Sequence, residues 1–117
     1  MQARMSLIGL IVGFGHVTVA ILVFALSVPL WRGKVRMNRW YGVRIPKSFE
    51  SDANWYALNR YGAKQIMVYS AGVLAVGVLT PFLPLEPDQW AFWLLVFAPV
   101  ILAVFPTVQI FRYARRL

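Results

Sequence analysis

The chain contains no cysteine, so disulfides, thiolate nucleophiles, iron–sulfur clusters and cysteine-based zinc sites are excluded. Histidine occurs once, as His16, and the carboxylates are Glu50, Asp52, Glu86 and Asp88. A hydrolytic or group-transfer site needs a base beside a nucleophile, a carboxylate pair or a cluster of metal ligands. So few titratable groups, spread along the chain, do not supply one. No HExxH, Walker-type loop or GxSxG occurs either. The expectation is a protein with no catalytic residues, no metal and no cofactor.

Charge is missing from three long stretches, Ser6–Trp31, Ile66–Leu85 and Trp90–Phe111, none of which contains Asp, Glu, Lys or Arg. A helix rises ~1.5 Å per residue, so about 20 apolar residues match a hydrocarbon core of ~30 Å. The sequence predicts an all-α, three-span transmembrane bundle in one domain, residues 1–117, with spans at about 6–31, 66–85 and 90–111. The first stretch exceeds the ~7–15 apolar residues of a signal-peptide core and runs into Trp31-Arg32-Gly33-Lys34, a stop-transfer flank. It is expected to remain on the mature protein.

The basic residues fall in blocks. Arg32, Lys34, Arg36, Arg39, Arg44, Lys47, Arg60 and Lys64 lie between the first two stretches, and Arg112, Arg115 and Arg116 follow the third. Arg4 stands alone at the N-terminus. Cytoplasmic loops retain Lys and Arg, so residues 32–64 and the C-terminus are expected inside. Pro84–Gln89, with Glu86 and Asp88, is expected outside, and so is the N-terminus. The formal charge of +8 then reflects topology and attraction to anionic lipid headgroups, at ~1 kcal/mol per charge. Nucleic acid is not expected as a partner.

Local signals refine this picture. Gly9 and Gly13 form a small-xxx-small pair that lets another helix approach closely. Ser51 suits an N-cap, and Asp52 follows it at the positive end of the helix dipole. One helix, or two in near-continuity, is predicted over Asp52–Leu83, ended by Pro81 and Pro84. Its first part is predicted to be an amphipathic cytoplasmic extension, with Asp52, Tyr56, Arg60 and Lys64 recurring every fourth residue. Pro99 and Pro106 are expected to bend the third span.

Three features could carry function, and each has a plainer reading. His16 is an ionisable group within a span, which is costly and often functional; alternatively it is neutral and bonded to a backbone carbonyl or a neighbouring helix. Tyr41-Gly42-Val43-Arg44-Ile45-Pro46-Lys47-Ser48 reads as an elbow that binds an anion or a partner, or else as a basic loop against headgroups. Trp55, Asn59 and Gly62 share a helix face, for recognition or for packing against that elbow. In the packing reading Arg44 can lay its guanidinium on the Trp55 indole, or donate to the Asn59 amide oxygen or to a lipid phosphate.

The series Gly42, Arg44, Pro46, Ser51, Trp55, Asn59 and Gly62 resembles the signature of the SdpI-type bacterial membrane proteins, a Gly-x-Arg-Thr-Pro elbow followed by a Ser-led cap and Trp-x-x-x-Asn. Ile45 stands where that pattern has Thr. The resemblance implies a short member of a family of small multi-span proteins named for immunity to a secreted toxic peptide. It implies a non-enzymatic protein of the bacterial cytoplasmic (inner) membrane. Such a protein would protect or signal by binding another membrane protein or peptide, with anionic lipid headgroups as further partners. The alternative is a small accessory subunit of a larger membrane complex. A transporter or channel component is a third reading, which the lack of a polar line through the spans disfavours.

Overall fold

The computed structural model describes residues 6–117, so Arg4 lies outside the described residues. Among these residues every regular element is helical. The first apolar stretch forms α1, Leu7–Trp31, and Ser6 caps it by accepting the Gly9 N–H at 2.7 Å. The other end closes as a Schellman motif. Gly33 takes φ +68° and donates to Leu30, while Lys34 donates to Pro29. That left-handed turn favours glycine. The Arg60 Nε donates to the Trp31 carbonyl at 3.3 Å, placing a cation at the negative end of α1.

The second helix, α2, spans Asp52–Leu79, and a 3-10 turn over Thr80–Phe82 finishes it at Pro81. The Ser51 hydroxyl accepts from the Asn54 N–H at 3.0 Å, the cap its sequence position predicts. At ~1.5 Å per residue α2 is ~42 Å long, more than the ~30 Å hydrocarbon thickness. Buried Trp55, Leu58, Asn59, Gly62 and Ala63 line one side of its first half, while Asp52, Arg60 and Lys64 are exposed.

The most extensive pairing is α1 against α2. A Cβ on Gly13 would stand 2.5 Å from the Gly77 carbonyl oxygen, and one on Gly9 would stand 3.1 Å from the Pro81 Cα. The close approach expected of Gly9 and Gly13 is therefore made by α2, at Gly77 and Pro81. Without Cβ atoms at the crossing the backbones themselves touch, which is how membrane helices gain packing where lipid removes the hydrophobic drive.

The third stretch is not one continuous helix. It divides into α3, Trp90–Val96, α4, Ala98–Leu102, and α5, Val104–Ala114. The breaks at Phe97 and Ala103 fall just before Pro99 and Pro106, and the path bends by 62° between α3 and the segment formed by α4 and α5. A proline has no N–H for the carbonyl four residues back and its ring crowds that carbonyl. Two helical stretches, Leu7–Trp31 and Asp52–Phe82, are long and apolar enough to cross a membrane; the bent pair makes a third span if it counts as one.

Candidate functional site

Residues 33–51 fold back over the first half of α2. Asn38 starts the path: its Oδ1 accepts the Trp40 and Tyr41 N–H groups at 2.9 and 2.7 Å, and its Nδ2 donates to the Arg36 carbonyl at 2.8 Å. This turn needs no strand or helix, because an Asn side chain can replace backbone partners locally. Tyr41 then lies against α1, its hydroxyl donating to the Leu26 carbonyl. Burial raises the Tyr41 phenol above its ordinary pKa.

The elbow itself is clamped by Asn59, which is 2% exposed. Asn59 Oδ1 accepts the Val43 N–H at 2.6 Å, and its Nδ2 donates to the Val43 carbonyl at 3.4 Å and the Trp55 carbonyl at 2.9 Å. One amide thus satisfies both backbone groups of a loop residue, which would be costly to bury unpaired. Gly42 makes the approach feasible. Its φ is +126°, and a Cβ there would stand 2.6 Å from Asn59 Oδ1 and 3.2 Å from the Trp55 ring. Gly62 opens the next turn: a Cβ would stand 2.6 Å from Val43 Cγ2.

Trp55 is fully buried, and its indole N–H donates to the Val35 carbonyl at 2.9 Å. Phe49 packs on it with ring centroids 5.8 Å apart. Pro46 opens a 3-10 turn over Pro46–Phe49, held at its start by reciprocal bonds. Ser48 donates its N–H to the Ile45 carbonyl at 2.9 Å, and Ser48 Oγ accepts the Ile45 N–H at 3.3 Å. Ser51 then caps α2. Gly42, Pro46, Ser51, Trp55, Asn59 and Gly62 therefore meet in one structural unit. Val43, Leu58, Ile110 and Ala114 form a small core beneath it, so α5 also holds the elbow. The Tyr61 and Tyr113 rings stack 4.2 Å apart across α2 and α5.

Arg44 departs from the expected contact. Its guanidinium donates to the Arg39 carbonyl, while the Asn59 oxygen is taken by Val43. The side chain lies on the outer side of the elbow and is exposed. His16 is separate from this unit. It is 8% exposed, between α1 and α3, with Nε2 2.7 Å from the Leu95 carbonyl oxygen.

Sequence reasoning did not single out Asn38, Leu58, Ile110 or Val35 as parts of the site. For Leu58 a signal existed: it lies three residues after Trp55, on the same helix face. The bonds of Asn38 are local, within three residues, whereas for Val35 and Ile110 the contact depends on a long return of the chain.

Among the described residues no three His, Cys, Asp or Glu side chains converge to hold a metal ion. Among the same residues the one ion pair is Lys47–Glu50, at 3.4 Å. The remaining cations of residues 32–64, Arg32, Lys34, Arg36, Arg39, Arg44, Arg60 and Lys64, are exposed without a carboxylate within salt-bridge distance. Chemically the surface can attract and bind anions.

The family model described as the SdpI/YfhL protein family matches residues 34–109, more than half of the chain and all of the elbow. The chain belongs to the SdpI/YfhL family, and its apolar helices make it a multi-pass membrane protein of that family. Neither a curated protein nor a solved structure matches it.

Proposed function

We propose that this SdpI/YfhL-family protein is a non-enzymatic protein of the bacterial inner membrane that acts, in immunity or signalling, by binding another membrane protein or peptide through the elbow on α2. Its N-terminus faces outside and its C-terminus the cytoplasm, in keeping with the eleven basic residues of the 32–64 segment and the C-terminal tail. The excess length of α2 over the bilayer then projects its first turns into the cytoplasm as an amphipathic extension. Anionic headgroups balance the unpaired cations around it.

The observation that carries this reading is the clamp of Val43 by buried Asn59. A loop that served only to connect two spans would not need both backbone groups of one residue satisfied by a side chain sixteen positions away. The clamp gives a basic loop one fixed shape, and a fixed shape lowers the ordering cost of binding.

Site-specific photo-crosslinking in cells tests it. A photoreactive residue at exposed Glu50, on the elbow, should capture a membrane protein or peptide, and one at lipid-facing Val68 should capture lipid alone. Equal products from the two positions would contradict the reading.

A further inference from the structure

A groove of about 740 Å³ opens on the outer side of the elbow, lined by Met37, Asn38, Arg39, Arg44 and Phe49. Its volume falls within the ~300–1,000 Å³ common for ligand clefts. We propose that this groove is a binding site for a phosphate group, with the guanidinium groups of Arg39 and Arg44 as its ligands. The inference rests on the reading of the elbow as a binding surface and names a ligand class for it.

Several observations converge here. No carboxylate lines the groove, and Glu50, which follows the 3-10 turn, is taken by Lys47. Two guanidinium groups therefore share one concavity with nothing to neutralise them. Arg44 is braced on the Arg39 carbonyl through one of its N–H groups, which leaves the rest of its planar fork for a ligand. Such a fork matches the oxygens of a phosphate better than a point charge does.

The walls are built rather than loose. The Asn38 side chain fixes the backbone on either side of Arg39: its Oδ1 accepts two backbone N–H groups and its Nδ2 donates to the Arg36 carbonyl, so it shapes the groove. The Asn59 clamp holds Val43 immediately before Arg44, and Phe49 rests on buried Trp55. Met37 and Phe49 add an apolar flank suited to the carbon attached to a phosphate ester.

The level of the groove points to a lipid source for that phosphate. Trp40, 88% exposed, adjoins Arg39, and Tyr41 reaches back along α1 to Leu26, below the end of the helix at Trp31. Trp and Tyr side chains of this kind gather at the headgroup layer. A phosphodiester headgroup would meet the two arginines there, its glycerol carbons on Met37 and Phe49.

Native mass spectrometry of the full chain in mild detergent, titrated with phosphatidylglycerol, tests the site. The wild-type protein should retain phosphatidylglycerol, and Arg39→Gln/Arg44→Gln should lose roughly tenfold in affinity. Arg115→Gln/Arg116→Gln, which removes the same charge elsewhere, should stay close to wild type. Arg44→Lys should fall between, because it keeps the charge and loses the fork. A second arm uses inorganic phosphate at millimolar concentration, followed by phosphorus NMR line broadening. Broadening that needs Arg39 and Arg44, without retention of the lipid, would keep the phosphate site and assign it to a soluble ligand. If both ligands bind wild type and the Arg39/Arg44 variant alike, or bind neither, the proposal is overturned. Crosslinking at position 50 reads the partner independently. Partner capture with no effect of the arginines on phosphate sinks the groove and leaves the function standing. Arginine-dependent phosphate binding without partner capture does the reverse.

Discussion

His16 on α1 bonds the one carbonyl that Pro99 leaves without its helical partner: its Nε2 donates to the Leu95 oxygen at 2.7 Å. In an unbroken helix that oxygen would accept from the residue four positions on, and a proline there has no N–H. The only histidine of the chain thus fastens the bent third stretch to α1. Tyr69 adds a second tie one turn further, its hydroxyl donating at 2.6 Å from α2 to the Pro99 carbonyl, which also accepts the Ala103 N–H. The bend is held from both neighbouring helices.

His16→Ala should lower thermal stability in detergent by about 1 kcal/mol, the usual scale of a hydrogen bond between membrane helices. His16→Gln, which still carries an amide N–H, should recover part of it. Pro99→Ala returns an N–H to Leu95, so the His16→Ala cost should shrink in that background, a non-additive cycle. Biological activity of His16→Ala should stay within a few-fold. Full additivity of the two substitutions would mean that His16 and the bend are unrelated.

Asn59→Leu removes the clamp while keeping bulk. Val43 would bury an N–H and a carbonyl without partners, at a cost of about 1–3 kcal/mol for each unsatisfied group. Midpoints of thermal unfolding should fall accordingly, and residues 36–44 should exchange amide hydrogens faster. A variant as protected there as the wild type would show that the elbow is held by something else.

The legible part of this architecture was local. Ser51 as a cap, Pro81 as the end of α2, Gly9 and Gly13 as a crossing point and prolines as breaks all follow from rules that act over a few residues. Trp55, Asn59 and Gly62 could be grouped by helical spacing, because that spacing is a property of one helix. The direction of Arg44 was not legible. It depends on where the loop runs, and the loop is routed by Asn38 at one point and by the bond from Trp55 to Val35 at another. The pairing of His16 with Leu95 spans 79 positions. Its signals were present, a lone polar group in one apolar stretch and a proline in another, but nothing local joins them.

Two glycines make a matched pair of tests. Gly42→Ala places a methyl 2.6 Å from Asn59 Oδ1 on a backbone with φ +126°, and should cost about 1–3 kcal/mol. Gly15→Ala places a methyl in open space on α1, and should be neutral or gain up to ~1 kcal/mol from helix propensity. Equal melting temperatures for the two variants would contradict a tightly packed elbow.

Tyr41 gives a pH dependence of known sign. Burial raises its pKa in the folded chain from an ordinary value of 10.0, so the folded state holds the proton more tightly than the unfolded one. The stability this contributes is present below pH ~10 and is lost as pH rises through the folded pKa. The gap in stability between wild type and Tyr41→Phe should therefore narrow above pH ~10. A gap that widens on the alkaline side would mean that folding lowers the Tyr41 pKa, and would contradict a buried phenol donating to Leu26.

The side of the membrane that the elbow faces decides whether its partners can be cytoplasmic. Because the chain has no cysteine, single cysteines report without background. Lys47→Cys on the elbow and Pro87→Cys between α2 and α3 can be challenged with an impermeant maleimide in intact cells. The expected result is labelling at position 87 alone, with position 47 reacting only after the membrane is opened. Labelling at position 47 in intact cells, with position 87 protected, would contradict the inward-facing elbow and the function built on it.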